Sequence, residues 1–298
     1  MCCPGLGSGR VLVAAALLCA VFQSGCRPGQ PWEDPDFCPP EPPQRIVLAS
    51  VLAAESLLEL LPRERIAGVH TFAADPDFSL VADAARGLPL LGASPEQLLS
   101  VRPDLVVVDA YTRAETLALL ATAGVPVVRT RDPKGFDDIA ANLRRLGRVV
   151  HLMPASDRLV TRMRERLEEV RAAGEACAPW RLMSLDGALH THGEGSLFDA
   201  VVRAAGARNI AAEHGVGAFR KLDVEEVLAW RPDALVLAGQ PGQHLPGWLA
   251  QYPGFELLPC VQHERILFVP GSLLSTTSHH LVDTAAFVQR QLQRWGTP

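Results

Sequence analysis

The sequence predicts an α/β protein made of two related lobes with one long helix between them. Three observations carry that reading. Short β-branched runs alternate with helical patterns through most of the chain, which implies parallel sheets covered by helices. Midway along, Leu159, Met163, Leu167 and Val170 recur at helical spacing with Arg and Glu between them, an amphipathic helix of about five turns that suits a rigid connector. The stretch from Pro95 to Val108 matches that from Val224 to Leu237 at a constant offset of 129: a glutamate, a leucine and an Arg-Pro-Asp turn recur in place, once on each side of the long helix.

In chain order, residues 45–49 read as a strand and 53–61 as an apolar helix, with 66–69 the next strand. Pro95 opens a helix that runs to Val101, proline being favoured in a first turn. Residues 105–108 form a buried strand, 114–123 a helix and 127–129 a strand. The amphipathic pattern follows, over 155–173. Beyond it, 181–185 is a strand, 197–205 a helix ending near Gly206, 224–229 a helix, 234–237 and 266–269 strands, and 278–295 a final helix. The chain therefore divides into a first lobe at 45–153, a connecting helix at 154–176 and a second lobe at 177–298.

What precedes Arg45 belongs to export rather than to the fold. Val11 to Phe22 is an apolar run of 12 residues behind Arg10, shorter than a helix needs to cross a hydrocarbon core of about 30 Å. It fits the h-region of a secretory signal. Gln23-Ser-Gly-Cys26 then resembles a bacterial lipobox, which assigns residues 1–26 to a lipoprotein signal peptide and makes Cys26 the lipidated first residue of the mature chain. Gln23 stands where an aliphatic residue is usual. Residues 27–44 carry seven prolines and read as an extended spacer between anchor and body. The expected location is the cell envelope, outside the cytoplasm and lipid-anchored to a membrane.

Composition narrows the function. The net charge of −5 and the lack of a basic patch argue against a nucleic-acid partner. No GxSxG elbow, Walker A loop or HExxH helix occurs, so no enzyme is expected. The strongest catalytic alternative is a metallohydrolase using His190 and His192 with Asp186 or Glu194 nearby. Three cysteines follow Cys26, namely Cys38, Cys177 and Cys260, so at most one internal disulfide forms. Five of nine histidines, at 70, 190, 192, 279 and 280, fall in loops that follow strands or open the last helix. Neutral imidazole binds zinc, copper, nickel and iron, and an i, i+2 pair in a strand shares a face. His70, His190, His192 and His280 are thus candidate metal ligands. Direct ion binding or sensing is the alternative to binding a chelate.

From Arg45 to the C-terminus the chain resembles the periplasmic binding proteins of iron-siderophore, haem and cobalamin ABC importers. The matching pieces are Arg45-Ile-Val with Glu55 in the next helix, Ile66-Ala-Gly-Val, both Arg-Pro-Asp repeats, His190-Thr-His-Gly193, the run from Ser196 to Gly206, Asn209-Ile210 and the last helix. The resemblance implies two Rossmann-like lobes joined by one long rigid helix, with small closure and the ligand in the cleft between them. It implies no intrinsic cofactor and a metal-containing ligand. The implied partners are a permease dimer, which Glu96 and Glu225 would dock, and a small-molecule metal chelate. First-turn glutamates also suit a helix dipole with no partner at all. Aromatic ligand-facing positions of the family fall at Phe72, His190 and Phe219, and an arginine position falls at His280, so histidine replaces the family residue twice. Tyr111, His192 and Arg220 complete the expected ligand-binding set.

Overall fold

The computed structural model describes residues 37–175 and 179–298. The expected signal peptide with Cys26, most of the Pro-rich segment and Cys177 lie outside the described residues.

The first lobe is a five-stranded parallel sheet. Its strands are β1 (Ile46–Leu48), β2 (Ile66–His70), β3 (Leu90–Leu91), β4 (Leu105–Val108) and β5 (Val127–Arg129), in the spatial order β3-β2-β1-β4-β5. Both faces are covered, as parallel sheets require. Side chains alternate along each strand: Val47, Val106 and Val108 face the Pro95–Ser100 and Ala114–Thr122 helices. Ile46, Leu48, Leu105 and Val107 face the Val51–Leu57 helix and the end of the helix at Phe136–Val149.

The second lobe repeats the plan with a parallel sheet of β6 (Arg181–Ser184), β8 (Arg208–Asn209), β10 (Ala234–Ala238) and β11 (Ile266–Val269), ordered β11-β10-β6-β8. Two further short strands, β7 (His190–Thr191) and β9 (Arg220–Lys221), form an antiparallel pair outside it.

The sequence repeat is a structural repeat with a definite job. Arg102 and Arg231 both adopt the left-handed conformation, at φ 49°, so each helix stops where proline forbids continuation. The aspartate that follows clamps the start of the neighbouring strand. Asp104 accepts from the backbone N–H of Arg45 (2.9 Å) and Asp233 from that of Arg181 (2.8 Å). Arg45 in turn donates to the carbonyls of Val101 and Arg102, and Arg181 to those of Trp230 and Arg231, which satisfies carbonyls at the helix end.

The Met153–Glu175 helix follows the first lobe in the chain, and its Leu159, Val160, Met163, Leu167 and Val170 are buried in the core of the second, as the spacing required. It is not alone. The Phe136–Val149 helix, absent from the sequence reading, packs along it, and Gly147 permits the close approach, since a Cβ there would meet Ser156 Cβ at 2.4 Å. Some boundaries also shift. The first helix occupies Val51–Leu57 instead of 53–61, and the last begins at Leu281 instead of 278, because 276–280 form a hydrogen-bonded turn.

Candidate functional site

Parallel α/β sheets offer ligands the crevice beyond the carboxyl ends of their strands, and the cleft lies there. Its larger cavity measures about 710 Å³, within the usual range for small-molecule sites. The first lobe contributes Tyr111, three residues past β4, and the Asp132-Pro133-Lys134 loop after β5. The second lobe contributes Ser184 to Gly187 after β6, His190 and His192 around β7, Phe219 before β9, Ala238, Trp248 and the 274–277 segment. A smaller cavity of about 240 Å³ adjoins it on the first lobe, walled by His70, Phe72, Asp109 and Arg131 and sharing Tyr111, Asp132, Pro133 and Thr277.

Most of the wall is apolar, and its aromatic groups are organised. The His190 ring stacks on Phe219 with centroids 4.9 Å apart and planes 20° from parallel, and His192 packs tilted against the same Phe219 ring at 5.2 Å. Phe219 stays 60% exposed and Tyr111 76% exposed, and both line the larger cavity. Phe72 stacks on Phe78 at 4.8 Å and meets His70 edge-on, a ledge on the opposite lobe. Trp248 is seated by Gly187, where a Cβ would touch its ring at 3.4 Å.

The polar groups of the wall are largely spoken for. The His190 Nδ1 lies 3.0 Å from Asp186 Oδ2, while Asp186 Oδ1 accepts the backbone N–H groups of Ala188 and His190. Desolvation alone would raise the Asp186 carboxyl; the hydrogen bonds from His190 and Ala188 outweigh it and hold its pKa below the ordinary carboxylate value. Ser184 Oγ accepts the His192 N–H and lies 3.3 Å from its Nδ1. Desolvation lowers the pKa of His192, and of His70, where Asp109 opposes it only in part. Both imidazoles are therefore neutral at pH 7. Tyr111 moves the other way: Asp132, first as hydrogen-bond acceptor and then as a charge, keeps the phenol protonated.

Two of the expected ligand contacts stand off this wall. His280 is no part of either cavity; its Nδ1 lies 3.2 Å from Asp283 and its ring packs on His279. Arg220 is drawn away to Glu226 (2.7 Å) and the face of Trp230. His70 and the pair His190 and His192 lie on different cavities. Among the described residues no group of three or more His, Cys, Asp or Glu is placed to hold a metal ion. The residues that sequence reasoning missed are Trp248, Asp132 and Lys134. Asp132 and Lys134 carried a positional signal, since both lie in the loop that leaves the carboxyl end of β5; Trp248, on the short helical turn Gly247–Gln251, carried none.

Glu96 and Glu225 occupy equivalent first-turn positions in the two lobes and both are exposed. The neighbouring Glu226 differs, because it closes a capping box with Asp223 and pairs with Arg220. Glu225 is thereby the carboxylate of that turn left to solvent.

A family model for periplasmic binding proteins matches residues 46–273. The chain belongs to the periplasmic binding protein family. A cobalamin-binding protein of Halobacterium salinarum is 26% identical over 203 residues, covering 65% of this chain and 53% of its own length. The chain thus spans about half the length of that curated relative. Among solved structures, the haem-binding protein BhuT with two haems superposes with a TM-score of 0.72 at 25% identity, over 85% of this chain and 99% of its own. The apo haem-binding protein RhuT of Roseiflexus sp. RS-1 gives 0.71 at 24% identity, over 85% and 100%. The two parallel-sheet lobes are the fold of this class. The relatives are solute-binding proteins of the cobalamin, haem and siderophore type, and family membership implies an extracytoplasmic location. Among the described residues no helix is long and apolar enough to cross a membrane.

Proposed function

We propose that this chain is the substrate-binding component of an ABC importer, held at the membrane by a lipid on Cys26, and that its cleft receives a flat metal-containing macrocycle of the corrinoid or haem kind. The observation that carries the ligand class is the pair of largely exposed aromatic rings on opposite lobes, Tyr111 and Phe219, lining one mostly apolar cavity. A planar ligand between them gains stacking and apolar burial together. The relatives named for cobalamin and haem support the same class. Direct coordination of a bare ion finds less support, since among the described residues no three or more His, Cys, Asp or Glu side chains are grouped to hold one. Glu96 and Glu225, one per lobe, are the residues proposed to meet a dimeric permease, whose two-fold symmetry a two-lobed protein can match.

The test is absorption titration of the purified protein with haemin and with aquocobalamin. One of them binds at one molecule per protein and shifts its visible bands on saturation. Absence of saturable binding by both overturns the ligand class.

A further inference from the structure

Among the described residues one carboxyl group is wholly buried, and it is engaged with both lobes. Glu55 lies on the Val51–Leu57 helix of the first lobe at 0% exposure. Its Oε1 accepts the backbone N–H of Leu80 at 3.1 Å, and its Oε2 accepts the Thr276 hydroxyl at 2.6 Å, across 221 residues of sequence. Thr276 is itself buried and lies 3.0 Å from the equally buried Ser278 hydroxyl. Where these segments meet, Gly271 has no room for a side chain: a Cβ there would sit 2.7 Å from the Asp77 carbonyl.

The two segments so joined are walls of the cleft. The 75–81 loop carries Phe78, which supports the Phe72 ring in the smaller cavity. The 271–278 segment carries Leu274, Ser275, Thr276 and Thr277 in the larger one. Burying a carboxyl group in an apolar seam is costly unless its oxygens are hydrogen-bonded. A leucine would fill the space at lower cost, yet it would leave the Leu80 N–H and the Thr276 hydroxyl without their acceptor.

We propose that Glu55 is a positioning residue for the ligand cleft: its carboxyl holds the 75–81 loop of the first lobe and the 271–278 segment of the second in register, and so sets the two walls those segments carry. The affinity part of this rests on the macrocycle reading of the cleft; the registration part does not.

The test uses Glu55→Gln, Thr276→Val and Thr276→Ser in the full chain. Thr276→Val keeps the shape and removes the hydroxyl; Thr276→Ser restores it. For whichever of haemin and aquocobalamin the parent binds, the dissociation constant rises about tenfold in Glu55→Gln and Thr276→Val at a temperature where both are fully folded, and Thr276→Ser stays near the parent. Hydrogen exchange supplies a readout independent of any ligand. In Thr276→Val, amides of 78–81 in the other lobe exchange faster together with those of 271–278, while β1 and β4 keep parental protection. If the change stays within 276–278, the registration is overturned whatever the ligand. If melting temperature falls while affinity and the 78–81 amides match the parent, Glu55 is structural only. Failure of the parent to bind either probe removes the macrocycle reading and leaves the exchange arm to decide on Glu55.

Discussion

Acidification should loosen the seam between the lobes through one histidine. His279 is 7% exposed, and neither ring nitrogen has a hydrogen-bond partner among the described residues. Burial pushes its pKa down from 6.5 to about 3, helped by the neighbouring His280 and Arg162 and opposed by Asp283. Glu59 stands 3.5 Å away but without hydrogen-bond geometry, and its carboxylate already pairs with Arg162. Desolvation therefore wins over the nearby acids. The sign follows from proton counting. Below 6.5 the unfolded chain takes up a proton that the folded chain refuses, so stability is full above 6.5 and is lost as pH falls toward 3. Each pH unit in that window costs about 1.4 kcal/mol, which gives roughly 2 kcal/mol at pH ~5. The assay is urea unfolding at several pH values for the parent and His279→Leu. Other titrating groups cancel in the difference, leaving His279. The expected variant is at least as stable as the parent at pH 7, since it buries no unpaired nitrogen, and loses less on acidification by about 1.4 kcal/mol per unit. Parallel pH profiles for the two proteins would refute the reasoning.

Three further outcomes are expected. Phe219→Ala should weaken macrocycle binding by tenfold or more (about 1.5 kcal/mol of ring burial and stacking) with little loss of stability, because the ring is 60% exposed in the empty cleft; parental affinity on titration would count against the stacking. Glu96→Ala combined with Glu225→Ala should abolish uptake in cells while the purified protein keeps its dissociation constant; normal uptake would remove the docking role. Cys26→Ser should shift the protein from the membrane to the soluble fraction or block its processing, and unchanged membrane association on fractionation would refute the lipid anchor.

The lobes were legible because their signals are local. Strands β1, β4, β10 and β11 are continuous apolar runs and β2, β5 and β6 are apolar but for their ends, and the Arg-Pro-Asp turn repeats because two helix ends need the same left-handed stop and the same aspartate clamp. Strands β3, β7, β8 and β9 have two residues each, too few for any period to show. The Phe136–Val149 helix did carry a signal, with Phe136, Ile139, Ala140, Leu143 and Leu146 at helical spacing behind Gly135, but its five charged residues and internal Gly147 resemble a loop. In the cleft, loop position picked out Phe72, Tyr111, His190, His192 and Phe219. Position alone did not separate His279 from His280, which differ by one step of a tight turn: one is buried in the seam and the other is paired with Asp283. Trp248 sits in a Pro- and Gly-rich stretch with no period, and only the tertiary contact with Gly187 places it.

The spine limits how a ligand can be gripped. Phe136, Ile139, Ala140 and Leu143 belong to the core of the second lobe, and Leu146 and Val149 of the same helix to the core of the first. Rotating one lobe widely against the other would pull one of these sets out of its core. Burial of each large apolar side chain contributes about 1.5–3 kcal/mol, so exposing even three of them costs more than a typical ligand contact returns. Interiors packed this closely yield by discrete repacking and not by smooth bending. Adjustment to a ligand is therefore confined to groups outside both cores: Phe72, Tyr111 and Phe219, which are half or more exposed, and the β7–β9 pair that carries His190. On the proposed reading of the cleft, the side chains at its rim are where this chain would select among ligands of similar size, with the Glu55 contact behind them.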